Sequence, residues 1–195
     1  MPETFIHHGS AIPSLTELKP LSKLHNTEKN VVYLSSSVPY VLLYIWDSEK
    51  TRYSRKYVTG WLKDGVAYYE EQFPGQLKAF YEGVRGYVYS VEQSSDMHFV
   101  QQREGMFYSE LPVNVCRVTE IPDVYQELLR YEREGLFRVF RYEEVSAEKQ
   151  TELTERIATF IVKDGMIDRD DEQSRFMKRY FADAWEKAQA VQNKG

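Results

Sequence analysis

Six residues stand out by type and spacing as candidates for a binding or reaction site. His8, Gly9 and Ser10 follow Phe5-Ile6-His7; Tyr33 stands in Val31-Val32-Tyr33-Leu34-Ser35; Tyr44 comes after ten further residues; Glu110 ends Phe107-Tyr108-Ser109-Glu110, before Leu111-Pro112. A carboxylate stabilises the positive charge that grows when a bond to a sugar carbon breaks through an oxocarbenium-like state. Phenol rings give flat faces for stacking, and a glycine lets a ligand come close to the backbone because it has no Cβ. On a strand His7 and His8 face opposite sides; the spacing to Gly9 favours His8. Taken singly, each residue has a plainer role. Tyr40 and Tyr44, four apart, share one helix face, Tyr33 fits a core, and a strand-end Glu110 fits a solvated carboxylate. The case for a site lies in their order and spacing together.

Other chemistry finds little support. His7, His8, His25 and His98 lack the Cys or paired-helix spacing of a zinc site, so no metal is expected. Gly83 and Gly86 flank Val84-Arg85 without the longer phosphate-cradling pattern. Cys116 falls in an alternating run, Val113 to Val118, and reads as a small buried strand residue rather than a nucleophile. Glu70 and Glu71 are neighbours after a strand, which places them on opposite faces.

Composition bounds the rest. With 195 residues, 42% hydrophobic and 28% charged, the chain is globular and long enough for one core. Fifteen tyrosines and ten phenylalanines imply a core filled largely with aromatics. A net charge of −5 weighs against a broad basic face for nucleic acid. A single cysteine excludes an internal disulfide and fits a reducing compartment. No apolar run approaches the roughly 20 residues that span a bilayer, and the N-terminus lacks a signal-peptide pattern. These features predict a soluble cytoplasmic protein with no membrane partner.

The elements that must position the six residues are read from periodicity. Strands are predicted over 4–8, Val31 to Ser35, Lys56 to Leu62, Val66 to Tyr69, Val84 to Val91, Met106 to Glu110, Val113 to Ile121 and Leu136 to Tyr142. Asp64-Gly65 marks a hairpin. Residues 11–30 and 94–105 read as loops. Ser35 to Ser37 offers an N-cap hydroxyl and Pro39 a first-turn proline for a buried helix from Val38 to Trp46. A short helix is predicted over Phe73 to Phe80. Asp123 with Gln126 fits a capping box for a helix ending near Gly135. Two further helices follow, one marked by Leu153, Ile157, Phe160 and Ile161, the other by a stripe from Phe176 to Ala188. The whole is α+β: a mixed body over 1–143 and a helical C-terminal extension over 144–195, packed on the same domain.

The His-Gly-Ser, Tyr–(ten residues)–Tyr and Glu pattern resembles the ADP-ribosyltransferase superfamily, in its diphtheria toxin and poly(ADP-ribose) polymerase branch. The resemblance covers about residues 5 to 115 and implies that family's split β-structure with flanking helices. It implies NAD as substrate, with ADP-ribose passed to a macromolecular acceptor such as a protein, or NAD hydrolysed. His8 would contact the ribose, Gly9 would hold the nicotinamide amide through its backbone, and Ser10 would assist. Tyr33 and Tyr44 would stack the nicotinamide, and Glu110 would bind the ribose hydroxyl and stabilise the transition state. Arginine-modifying members carry an acidic residue or Gln two positions before the Glu; Tyr108 stands there, which disfavours arginine as acceptor. The loop 94–105, with Gln101, Gln102 and Arg103, would face the acceptor. A non-catalytic binding or scaffolding domain of the same fold is the main alternative. A related transferase taking a phosphate from RNA ranks last, because His8 stands nearly alone among basic residues.

Overall fold

Alternating apolar residues pair into ladders wherever a neighbouring strand can take their backbone groups. The computed structural model describes residues 4–45, 47 and 59–192. Its strands are β1 (Phe5–Ser10), β2 (Glu17–Leu18), β3 (Ser22–Lys23), β4 (Asn30–Ser35), β5 (Gly60–Lys63), β6 (Val66–Glu70), β7 (Gly86–Glu92), β8 (His98–Phe99), β9 (Met106–Ser109), β10 (Val113–Asn114), β11 (Arg117–Ile121) and β12 (Phe137–Phe140). The helices are α1 (Val38–Leu42), α2 (Gln76–Tyr81), α3 (Val124–Arg133), α4 (Ala147–Lys163), α5 (Glu172–Tyr180) and α6 (Ala182–Gln192). The class is α+β, as predicted.

The main sheet runs β11-β7-β1-β4-β9-β8, with β3 added on β4. A three-stranded sheet, β12-β6-β5, and the pair β10-β2 complete the β-structure. Both faces of the main sheet are covered. On one face Ile6, Val32, Leu34, Tyr89, Val91 and Phe107 pack with Leu18 and Val113 of the small β10-β2 pair. On the other, Val88 and Met106 join the larger core that includes Tyr40, Leu42, Phe73, Leu77, Phe137, Ile157, Met177 and Trp185. The C-terminal helices therefore bury their stripes in the same core as the body.

Local chemistry explains several elements. Ser37 caps α1, its side chain accepting from Tyr40 N–H, and Pro39 lies in the first turn. Asp123 caps α3 by accepting from Gln126 N–H, and it also takes Gly83 N–H. Asp64 and Gly65, at φ 52° and 76°, form the predicted hairpin turn between β5 and β6.

Other expectations change. The single strand expected over Val113 to Ile121 divides: Val113 pairs with Leu18 in the small sheet, while Arg117 pairs with Ser90 in the large one. Cys116 sits in the bend between them and is exposed, so its reading as a buried strand residue is corrected. The stripe from Phe176 to Ala188 breaks at Phe181, whose backbone (φ −127°, ψ 52°) leaves the helix as its ring packs on Phe73. Phe73 precedes α2 rather than starting it. The helix predicted to Trp46 ends at Leu42; Trp46, and residues 56–58 of the next predicted strand, lie outside the described residues. Two short strands, β2 and β3, occupy the segment expected to be loop.

Glu70 and Glu71 diverge as expected. Glu70 meets Lys149 at 3.2 Å on the surface. Glu71 is only 3% exposed. It accepts from Leu77 N–H at 2.9 Å, in the first turn of α2, and from Tyr142 N–H at 3.3 Å. Glu71→Ala leaves two inward N–H groups without an acceptor, at about 1–3 kcal/mol each. Urea unfolding should show a loss of about 2–4 kcal/mol, with Glu71→Gln intermediate; a loss under about 0.5 kcal/mol would reject the capping role.

Candidate functional site

The site opens where two strands part. β1 pairs with β7 along its full length, from Phe5↔Glu92 to Ser10↔Tyr87. With β4 it shares the single rung His7↔Ser35. Beyond that rung the strands fork, and the ladder that would have met Tyr33 is missing. A buried carbonyl needs a partner, and His8 supplies it: its Nδ1–H donates to the Tyr33 carbonyl at 2.9 Å. This bond fixes the neutral tautomer, leaving Nε2 as an acceptor. Burial lowers the His8 pKa, the Tyr33 carbonyl opposing in part. His7 bonds Ser90 Oγ at 3.0 Å and does not line the cleft.

Gly9 is required by packing. A Cβ there would lie 2.1 Å from the Val41 carbonyl oxygen, so only glycine lets α1 rest across the fork. That approach brings Tyr40 and Tyr44 over the opening. Their hydroxyls meet at 2.8 Å and their rings form an edge contact at 5.4 Å. Tyr44 is 40% exposed, yet burial of its hydroxyl, and then Tyr40, push its pKa up, with the Arg103 guanidinium opposing. It stays a protonated hydroxyl at neutral pH.

Tyr33 serves as a strut. Its hydroxyl donates to the Lys23 carbonyl at 3.2 Å and accepts from His25 N–H at 3.3 Å. It thereby holds residues 22–27 along the cleft. Ser10 Oγ accepts from Ile12 N–H at 3.1 Å and shapes the turn leaving β1.

The resulting cleft has a volume of about 1260 Å³, above the roughly 300–1,000 Å³ usual for a drug-sized ligand. His8, Gly9, Ser10, Tyr33 and Tyr44 all line it. So do Gln101, Gln102 and Arg103, together with Tyr40, Phe99 and Tyr108. Lys23 and His25 were missed by sequence reasoning, because they belong to a segment without periodicity. Tyr108 was legible only as a departure from the family pattern; alternation along β9 turns it to the cleft, opposite Tyr33. Among the described residues no Asp or Glu lines the cleft. Lys23, His25 and Arg103 line the cleft, the Lys23 ammonium being paired with the Glu28 carboxylate at 3.3 Å. His8 is not nearly alone among basic residues, and the ground for ranking RNA phosphate chemistry last is removed. A second hollow of about 490 Å³ adjoins, sharing Tyr40, Tyr44 and Arg103 and reaching Trp61 and Glu104.

Glu110 is not brought into this lining. It follows the last rung of β9, Val32↔Ser109. Ser109 Oγ knits the chain there into a turn, donating to the Leu111 carbonyl at 2.8 Å and accepting from Leu111 N–H at 3.1 Å. The Glu110 carboxylate instead meets Lys29 Nζ at 2.7 Å. No group of three or more metal-ligating side chains occurs among the described residues. No helix among them is long and apolar enough to cross a membrane.

Two outcomes follow from the fork. Gly9→Ala should cost about 1–3 kcal/mol through overpacking against Val41, read by chemical unfolding; an unchanged midpoint would show that α1 yields freely. His8 should titrate below the 6.5 of an unperturbed imidazole when followed by NMR. Between that lowered midpoint and 6.5 the unfolded chain binds more protons. Its contribution to stability is therefore complete above 6.5 and is lost as pH falls toward the folded value; a midpoint at or above 6.5 would contradict the buried neutral ring.

No family model, no curated protein and no solved structure matches this chain. The geometry of the cleft is therefore the basis for reading its chemistry.

Proposed function

We propose that the cleft binds NAD and that the protein breaks the nicotinamide–ribose bond, passing ADP-ribose to a macromolecular acceptor or to water. The observation that carries this reading is the meeting of His8, Gly9, Ser10, Tyr33 and Tyr44 in one aromatic cleft that Arg103 and Lys23 also line. A dinucleotide offers two phosphates to basic side chains and two ring systems to aromatic ones. In this reading the neutral His8 accepts from a ribose hydroxyl through Nε2, and Tyr44 presents its ring to the nicotinamide. The bond between ribose C1′ and the nicotinamide nitrogen breaks, with the electron pair leaving on nicotinamide. Glu110 stabilises the cation left on the sugar, and an acceptor oxygen then bonds C1′, losing its proton to solvent when it is a hydroxyl or water. These two basic side chains support the ADP-ribosyltransferase-like assignment without singling out an acceptor.

One observation favours a second reading, a binding domain without turnover: the carboxylate assigned to the chemistry is paired with Lys29 and does not line the cleft. Incubation with NAD distinguishes the two. Under the first, the protein releases free nicotinamide and Glu110→Gln lowers the rate by about a hundredfold, with affinity for NAD held within about threefold. NAD-dependent thermal stabilisation without release selects the binding domain. Neither effect would remove NAD from the account.

A further inference from the structure

Lys29 and Glu110, 81 positions apart in the chain, meet at 2.7 Å. Both side chains are exposed, 59% and 38%. Tyr108, two residues before Glu110, lines the cleft. The backbone at Glu110 is turned by Ser109 and carries no ladder rung. The carboxylate is therefore aimed mainly by one exposed ion pair. Such a pair holds weakly in water and is screened by salt, over a Debye length of about 10 Å at 0.1 M. A carboxylate already facing an ammonium has less field to offer a second cation.

We propose that Lys29 is the positioning residue of Glu110, a latch that holds the carboxylate outside the cleft lining and yields it when NAD enters. This rests on the reading that the cleft takes NAD and that Glu110 stabilises the ribosyl cation. Glu110 lies two residues past Tyr108, which lines the cleft, and no ladder rung fixes its direction, so the freed side chain can turn toward the cleft. The Lys29 ammonium turns to water in exchange. No covalent bond changes and no proton moves in the handover.

Nicotinamide release from NAD, measured for the parent, Lys29→Met and Lys29→Arg at about 50 and 500 mM salt, tests the latch. Lys29→Met should raise kcat by about two- to fivefold at low salt, the span that an exposed pair can hold back, with little change in KM. Raising salt should speed the parent toward that rate and leave Lys29→Met flat, while Lys29→Arg should behave as the parent. Both variants should keep the parent's unfolding midpoint. A Lys29→Met rate at or below the parent's, or an unaltered salt response, overturns the latch alone. Absence of release from both parent and Lys29→Met removes the NAD-cleaving reading, and the latch with it.

Discussion

The hydrogen bond from His8 to the Tyr33 carbonyl organises the site. A sheet that forks strands backbone groups on both arms, and a polar group left without a partner away from water costs on the order of 1–3 kcal/mol. Here the imidazole meets that need at 2.9 Å and is itself fixed by doing so. Its tautomer and orientation follow from the same bond. One interaction therefore keeps the fork open and presents a defined acceptor nitrogen. The rung His7↔Ser35, just before the fork, keeps β1 and β4 in register up to that point.

The fork also sets what can pack around it. Without a side chain at Gly9, α1 approaches until the Val41 carbonyl occupies the space of a Cβ. Tyr40 then hangs over the cleft from a helix of only five residues, and Tyr44 from the turn that follows it. The opposite wall is recruited by Tyr33, whose hydroxyl reaches the backbone of Lys23 and His25. Gly105, at φ 61°, anchors the third wall: its carbonyl takes Ser35 Oγ and Ser36 N–H, each at 2.9 Å. Glu104 beside it accepts from Asp64 and Gly65 N–H, each at 3.0 Å. Arg103 thus directly precedes two braced residues.

Much of this was legible in the chain, for reasons that can be named. Alternation located the strands bearing His8, Tyr33 and Tyr108, and Ser37 with Pro39 marked where α1 begins. What escaped depends on contacts between distant residues. Lys23 and His25 lie on a segment whose course is set by the Tyr33 hydroxyl, and no local pattern records that. The bend at Cys116 is hidden because alternation runs through it; the choice between two sheets is made by Leu18 and Ser90, the partners of Val113 and Arg117. The interruption at Phe181 is hidden in the same way, since a helical stripe continues across it while the ring is drawn onto Phe73.

Glu110 shows where spacing ceases to determine position. Along β9 each residue's direction is set by the ladder, so Tyr108 must face the cleft once Phe107 enters the opposite core. The ladder ends at Ser109, and the hydroxyl of that serine closes the next turn on Leu111. From there the side chain answers to whatever charge is nearest, and that charge is Lys29. A residue can thus hold the right place in a sequence pattern while its direction is left to a weak surface interaction. The residues that line the cleft are placed by backbone geometry, whereas the Glu110 carboxylate is aimed by an exposed ion pair that ionic strength weakens.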